Sequence, residues 1–341
     1  MSFIENKRKY RIGILILLIV LFVVIIFSCS VGAADIAIAD AVRIIFKPYK
    51  YKGAMHSVIW NIRMPRVLLS VLVGSSLSVA GVAYQGLFRN PMAEPYILGI
   101  SAGAAFGGTL SIVLGITNII GIGGTSAMSF LGAVGTTFLV YNLGSHKNRI
   151  SMTYLLLSGI AISSLLSALI SLIMIFNREK LNNIIMWTMG SFTSANWSKV
   201  IVALISTFIG VSGIYYFAKD LNLMLLGEEN AQNLGINIEK TKKILLILAS
   251  LISAIAVSVS GIIGFVGLIV PHAIRLIAGP DHRVLIPCSV LAGGIFLAIS
   301  DTLARILAIP MEIPVGVITA VFGAPFFIHL LIKSKRSSAS I

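Results

Sequence analysis

Residues 12–27 read Ile-Gly-Ile-Leu-Ile-Leu-Leu-Ile-Val-Leu-Phe-Val-Val-Ile-Ile-Phe, an apolar run without one polar side chain. The rest of the chain shares this character, because 57% of its 341 residues are apolar and only 11% are charged. An average soluble domain carries about 25% charged residues, so this chain lacks the side chains to cover a water-facing surface. High hydrophobicity also excludes intrinsic disorder. The sequence therefore predicts an all-α integral membrane protein, since a helix in lipid satisfies its own backbone polar groups.

The apolar run is flanked by two signals that fix its orientation. The basic stretch Lys-Arg-Lys-Tyr-Arg at residues 7–11 precedes it, and the small residues Val-Gly-Ala-Ala at 31–34 follow it. Taken alone, this pattern also fits a cleaved secretory signal. In a chain with many further spans, we interpret residues 12–33 as an uncleaved first helix whose basic end stays in the cytoplasm. Residues 34–65 are then predicted to form an external segment.

Nine more apolar runs follow, each close to the length of about 20 residues that crosses a bilayer. Ten such helices use about 200 residues, which leaves room for loops but for no large soluble domain. We therefore predict one transmembrane domain over residues 1–341, with a core bundle at 66–333. Alternating directions from a cytoplasmic start place both termini in the cytoplasm. The further runs lie at about 66–87, 96–115, 126–143, 152–176, 198–218, 244–262, 263–279, 285–303 and 314–332.

Charge and motif content exclude several function classes. The net charge of +14 is typical of a multispanning protein that keeps Lys and Arg on its cytoplasmic loops. The basic residues accompany no nucleic-acid motif, so nucleic acid is not an expected partner. Cys29 and Cys288 have neither metal-ligand nor disulfide spacing. Because P-loop, HExxH and GxSxG motifs are missing, we expect no enzyme activity, no metal and no cofactor in this chain.

Arginines at two predicted outer span ends are the first candidate site. Arg63 and Arg66 flank Met-Pro at the start of the second span, and Arg305 ends the ninth. Asp301 lies four residues before Arg305, so the two can pair along one helix. Arginines near helix ends commonly extend their side chains to the membrane interface. Alternatively, their bidentate guanidinium groups suit the carboxylates of an external partner protein.

A long polar connection at about 219–243 is the second candidate site. Such a segment of about 25 residues exceeds the usual connection length of about 4–6 residues. Its stretch from Gly227 to Gly235 predicts a short acidic helix with a glycine stop, lying outside the lipid. This segment is either a solvated loop or a docking surface for a cytoplasmic subunit.

Several longer motifs together resemble one known family. The resemblance covers about residues 60–333, nearly the whole chain, and Met92 is its one departure, where such proteins usually carry another aliphatic residue. On these motifs the chain resembles the FecCD-type permeases, the membrane subunits of ATP-binding-cassette (ABC) importers for iron–siderophores, haem and cobalamin. The motifs are Arg63-Met-Pro-Arg66 leading into Leu72-Val-Gly74, QGLFRNPMAEPYILGISAGA from Gln85, MWTMGS from Met186, Gly227-Glu-Glu229, GFVGLIVPH from Gly264, Asp281-His-Arg283 and EIPVGVITAVFGAPF from Glu312.

The resemblance implies a cobalamin-importer-permease-like fold of about ten transmembrane helices in the cytoplasmic membrane. It implies a second permease subunit, identical or different, with the substrate path between the two copies. It also implies two cytoplasmic ATPase subunits that use the ATP, and a substrate-binding protein outside. By the same resemblance, Arg63, Arg66 and Arg305 would dock that binding protein. The ATPase contact would comprise Gly227, Glu228, Glu229, Ala231 and Gly235.

The substrate is not encoded in a motif. We expect a ferric siderophore, with haem or cobalamin as alternatives moved by the same alternating-access mechanism. An ion-coupled secondary transporter is a further alternative, but it normally keeps an ionisable residue near the bilayer midplane. Here the Asp and Glu residues fall near predicted span ends or in loops.

Overall fold

The computed structural model of the chain is nearly all helical. It describes residues 3–32, 36–46, 53–116, 119, 121, 123–146 and 149–338. One short antiparallel hairpin joins β1 (Ser145–His146) to β2 (Arg149–Ile150), with Ser145 opposite Ile150. In chain order the helices are α1 (Phe3–Ser30), α2 (Ile38–Phe46), α3 (Ala54–Leu87), α4 (Ile100–Val113), α5 (Gly123–Gly144), α6 (Met152–Phe176), α7 (Leu181–Thr188), α8 (Trp197–Tyr216), α9 (Ala218–Met224), α10 (Glu228–Asn233), α11 (Ile238–Ser260), α12 (Val266–Ala278), α13 (His282–Ile306) and α14 (Val315–Ser338), with 3-10 turns at Pro95–Leu98 and Arg178–Lys180.

Seven of the described helices are long and apolar enough to cross a membrane, namely α1, α3, α5, α6, α8, α11 and α13. Helices α4, α12 and α14 are shorter but apolar. These ten helices coincide in position with the ten predicted spans, which confirms the prediction of an all-α membrane protein. The number of crossings and the cytoplasmic position of both termini stay predictions.

Helix α3 forms the centre of the bundle. Its most apolar window is 83% buried, whereas the corresponding windows of α1 and α6 are 11% and 6% buried and are suited to face lipid. Helix α3 packs against α8, α11, α12 and α13. Small residues permit this close approach, since a Cβ added at Gly81 would overlap the Gly267 carbonyl of α12. Small residues at helix contacts are typical of bundles in lipid, where packing replaces the hydrophobic effect.

The start of α3 corrects the predicted boundary at residue 66. The helix begins at Ala54 and runs for 34 residues, so it occupies part of the predicted external segment. A π-helical turn over Val58–Arg63 precedes Pro65, whose missing N–H cannot complete a regular turn. Hydropathy alone interrupts the predicted span at the charged Arg63. In the structure that arginine is buried within the fold, so the helix continues through it. The rest of the segment predicted to be external includes α2, which packs Ala41 and Ile44 next to Ile59 of α3.

Candidate functional site

Arg66 lies between two carboxylates that come from distant parts of the chain. Its Nε and Nη2 donate to the Asp301 carboxylate of α13 at 2.9–3.0 Å. Its Nη1 donates to both Glu312 oxygens at 2.9 and 3.0 Å. Asp301 is fully buried, while the Glu312 side chain is 41% exposed. We call Arg63, Arg66, Asp301, Arg305 and Glu312 the arginine cluster.

The other two arginines of the cluster bind the end of α1. The Arg63 Nη1 donates to the Cys29 and Ser30 carbonyls at 2.9 and 2.6 Å. The Arg305 Nη2 donates to the Ser28 carbonyl at 3.0 Å. The last carbonyls of a helix have no intrahelical partner and carry partial negative charge, so cations stabilise them.

This placement corrects the expectation of freely projecting arginines. Arg63, Arg66 and Arg305 are only 5%, 6% and 7% exposed. Sequence patterns place these residues at span ends but do not reveal carbonyls and carboxylates that arrive from α1 and α13. The predicted pairing of Asp301 with Arg305 is confirmed, since Arg305 Nε lies 3.3 Å from Asp301 Oδ2 as an ion pair. A docking role for the arginines stays a prediction.

A helix-free link at residues 261–265 separates α11 from α12 inside the bundle. Phe265 has a left-handed φ of 70°, uncommon for a non-glycine residue. Its N–H donates to Glu94 Oε1 at 2.8 Å, and Tyr96 Oη donates to the Ile263 carbonyl at 2.6 Å. Irregular backbone at membrane depth is tolerated where protein groups satisfy it or where it lines a cavity.

Sequence reasoning missed the role of Glu94 and Tyr96. Residues around Gln85–Pro95 are interpreted from sequence as an ordinary turn punctuated by prolines. In the structure this turn supports the link instead, and Gln85 Nε2 also donates to the Gly267 carbonyl at 3.2 Å. One signal was available, because Glu94 is the only acidic residue between Asp40 and Glu179. An isolated carboxylate in so apolar a stretch indicates a specific partner.

A cavity of about 370 Å³ opens beside the link and the arginine cluster. The helix-free connections after α7, α11 and α13 meet here, and the Ser191 N–H donates to the Ser260 carbonyl at 2.8 Å. Lys199 Nζ donates to Ser194 Oγ at 2.6 Å within the same wall. The cavity is lined by Met186, Trp187, Ser191, Thr193, Ser194, Lys199, Val259, Ser260, Gly261, Glu312, Ile313 and Pro314.

Segment 219–243 contains the predicted short helix and glycine stop. Helix α10 covers Glu228–Asn233, and Gly235 has a φ of 87° with open space around its Cα. Gly227 precedes the helix with a φ of 115°. Ala231, which the resemblance places in the ATPase contact, is fully buried against the protein's own core, so its side chain is not exposed to a partner. Glu229 is exposed on the other side of the helix.

Ion pairs fix α10 to the end of the bundle opposite the arginine cluster. Glu228 accepts from Lys242 Nζ of α11 at 2.8 Å and lies 3.5 Å from Arg89, just beyond the end of α3. The Lys242 side chain is only 4% exposed and also lies 3.7 Å from Glu239. Because Arg66 lies in the N-terminal half of α3 and Arg89 lies just beyond its C-terminal end, the arginine cluster and α10 are at opposite ends of the bundle.

A second polar contact anchors α9 to the start of α13. Asn222 Nδ2 donates to Asp281 Oδ1 at 2.7 Å, and the His282 N–H donates to Asn222 Oδ1 at 2.9 Å. Asp281 caps α13, and hydrogen bonding from Arg283 lowers the pKa of the Asp281 carboxyl to about 2. Segment 219–243 is therefore held at both ends. Among all the described residues, no group of three His, Cys, Asp or Glu side chains is arranged to hold a metal ion.

A bundle of apolar helices with polar sites at both ends and interrupted helices between them is typical of a membrane transporter. A model of the FecCD transport family matches residues 18–333, and the chain belongs to this family. It is 44% identical over 274 residues to the cobalamin import permease BtuC of Halobacterium salinarum, covering 80% of this chain and 73% of the relative. It is 38% identical over 340 residues to the haemin transport permease HmuU of Yersinia pestis, covering 97% and 98%.

A solved structure supports the same assignment. A structure described as an inward-facing ABC transporter of the metal-chelate type matches with a TM-score of 0.80 and 33% identity, covering 94% of this chain and 98% of that one. The chain is therefore a multi-pass permease of the cytoplasmic membrane, from the ABC importer family that handles iron chelates, haem and cobalamin. Such a permease is the membrane-spanning part of a transporter.

Proposed function

We propose that the chain is the permease of an ABC importer that carries a ferric siderophore or a related iron chelate into the cytoplasm. The match to a metal-chelate type transporter over 94% of the chain is the observation that carries this choice. Cobalamin is the second candidate substrate, because the Halobacterium relative is a cobalamin permease at 44% identity. Haem is the third, from the Yersinia relative.

The substrate is tested by ATPase stimulation in a reconstituted complex. The permease, its cognate ATPase and its binding protein are placed in lipid nanodiscs and supplied with ferric siderophore, haemin or cobalamin. We expect ATP hydrolysis to rise with the iron chelate and the permease alone to hydrolyse no ATP. Stimulation by cobalamin or haemin alone would instead assign that substrate.

We infer that segment 219–243 receives the cytoplasmic ATPase, with ATP bound and hydrolysed in that separate subunit. The exposed side of α10 and its flanks supports this role, because Leu226 and Leu234 are each 63% exposed outside any candidate span. A patch of exposed apolar side chains rimmed by polar residues is typical of a protein contact. The ion pair of Glu228 with Lys242 would then pass force from α10 to α11.

Co-purification of the ATPase tests this contact. Leu226→Asp and Leu234→Asp should each release the ATPase from the tagged permease, because a charge replaces an apolar contact. Gln232→Asp is the matched control, since Gln232 is exposed on α10 but already polar. Full ATPase recovery with both leucine variants would place the contact elsewhere.

The external binding protein would dock at the arginine cluster. Three guanidinium groups and two carboxylates give the cluster one excess positive charge, which attracts acidic side chains and speeds encounter at low salt. Because all three arginines are nearly buried, docking would act through an exchange of carboxylates rather than through extended arms. Arg63→Glu should weaken binding-protein affinity, because the substitution turns the excess charge of the cluster from positive to negative. Unchanged affinity at low salt would exclude it as a docking residue.

A further inference from the structure

Glu312 joins three separate parts of the fold through one carboxylate. It lies on the helix-free connection between α13 and α14 and accepts from Arg66 Nη1 of α3 at 2.9 Å. The same Oε2 atom accepts from Thr193 Oγ1, on the connection before α8, at 3.1 Å. Glu312 and Thr193 both line the 370 Å³ cavity. One exposed carboxylate thus holds two connections together across the cavity rim.

The two carboxylates on Arg66 differ in how firmly they are held. Asp301 is fully buried within α13, accepts three hydrogen bonds from Arg66 and lies 3.3 Å from Arg305. Glu312 is 41% exposed and is held by Arg66 Nη1 and Thr193 alone among its described contacts. Water and another anion can therefore reach Glu312 far more easily than Asp301. Glu312 is the exchangeable partner of Arg66.

We propose that Glu312 is a latch that keeps the outer rim of the cavity closed until a partner's carboxylate displaces it from Arg66. This rests on the proposed function, in which an acidic external protein docks at the arginine cluster. An incoming carboxylate gains the Nη1 edge of Arg66 only when Glu312 leaves it. Release of Glu312 also breaks its bond to Thr193 and frees both connections at the rim.

Thiol labelling of the full-length permease tests the latch. Native Cys29 and Cys288 are 0% and 5% exposed, so a membrane-impermeant maleimide meets little background. A Ser260→Cys reporter lies in the cavity wall at a position that is 3% exposed. Glu312→Gln on this background should raise the labelling rate about five-fold, the factor that about 1 kcal/mol of a partly exposed ion pair gives. Glu179→Gln is the matched control, because Glu179 is exposed and no ion pair of its side chain is described.

Two further measurements distinguish opening of the cavity rim from general damage to the fold. Thr193→Val removes only the weaker hydrogen bond to Glu312, so it should raise the labelling rate by a smaller factor than Glu312→Gln. If Glu312→Gln is not monodisperse, Thr193→Val replaces it as the test of the latch. Decaglutamate should speed labelling of the reporter with Glu312 present but not of Glu312→Gln, and decalysine should do neither. Equal rates in Glu312→Gln and Glu179→Gln, or no effect of decaglutamate, would refute the latch. Labelling requires no ATPase. A failed labelling test would therefore refute the latch without affecting the proposed import function, which the ATPase-stimulation assay tests separately.

Discussion

Replacing Asp301 by Asn tests how far the arginine cluster stabilises the bundle. The carboxylate is fully buried and accepts three hydrogen bonds from Arg66, with Arg305 at 3.3 Å. Asn keeps the shape but removes the charge, so two nearly buried guanidinium groups lose their shared counter-ion. Removing one partner of a buried ion pair costs about 3–5 kcal/mol. Because Glu312 still pairs with Arg66, we expect a loss near the lower end, about 3 kcal/mol.

The assay is the free energy of unfolding of the permease in detergent micelles, titrated with sodium dodecyl sulfate. Asp40→Asn is the matched control, because Asp40 pairs with Arg43 at 3.5 Å but its side chain is 47% exposed. An exposed pair of this kind contributes less than about 1 kcal/mol. A loss for Asp301→Asn no larger than that for Asp40→Asn would show that the cluster does not stabilise the fold.

Substitutions at three more positions test the link, the helix contact and the glycine stop. Glu94→Gln should unfold at nearly the same detergent titre as the unmodified chain, because an amide oxygen still accepts the N–H at the start of α12. Glu94→Leu should cost about 1–3 kcal/mol, since that N–H loses its acceptor, and equal stability of the two variants would contradict this role. Gly81→Ala should cost about 1–3 kcal/mol by overpacking against Gly267, whereas Gly13→Ala, which meets open space, should leave the thermal midpoint unchanged. Gly235→Val should reduce ATPase co-purification, because a φ of 87° strains a branched residue, while Gly235→Asn, which tolerates positive φ better, should retain it.

Sequence patterns located the helices well because lipid imposes a simple rule on them. A span must be apolar over about 20 residues, and the ten predicted runs coincide with α1, α3–α6, α8 and α11–α14. The rule fails where a polar residue is satisfied by another helix. Arg63 interrupts the hydropathy pattern, yet its partners on the end of α1 let α3 continue through it.

The sequence predicted where the two candidate sites lie along the chain, but not which residues their side chains contact. The sequence indicated a helix with a glycine stop at Glu228–Gly235, and both are present. It did not indicate that Ala231 faces inward, because the buried side of a six-residue helix depends on the angle at which it meets α11. The pairing of Arg66 with Glu312 spans 246 residues of chain, so no local pattern encodes it.

The hydrogen bonds from Arg63 and Arg305 to the last carbonyls of α1 also set an order of assembly. Helix α1 is synthesised before α3 and α13, yet its last carbonyls are bound by Arg63 and Arg305. These arginines lie 34 and 277 residues after the carbonyls that they bind. During synthesis, the end of α1 first meets Arg63 and acquires its second arginine only when α13 has been inserted. The contacts at the end of α1 are therefore complete only once α13 is in place, and a chain that stops before α13 lacks the hydrogen bond from Arg305 to the Ser28 carbonyl.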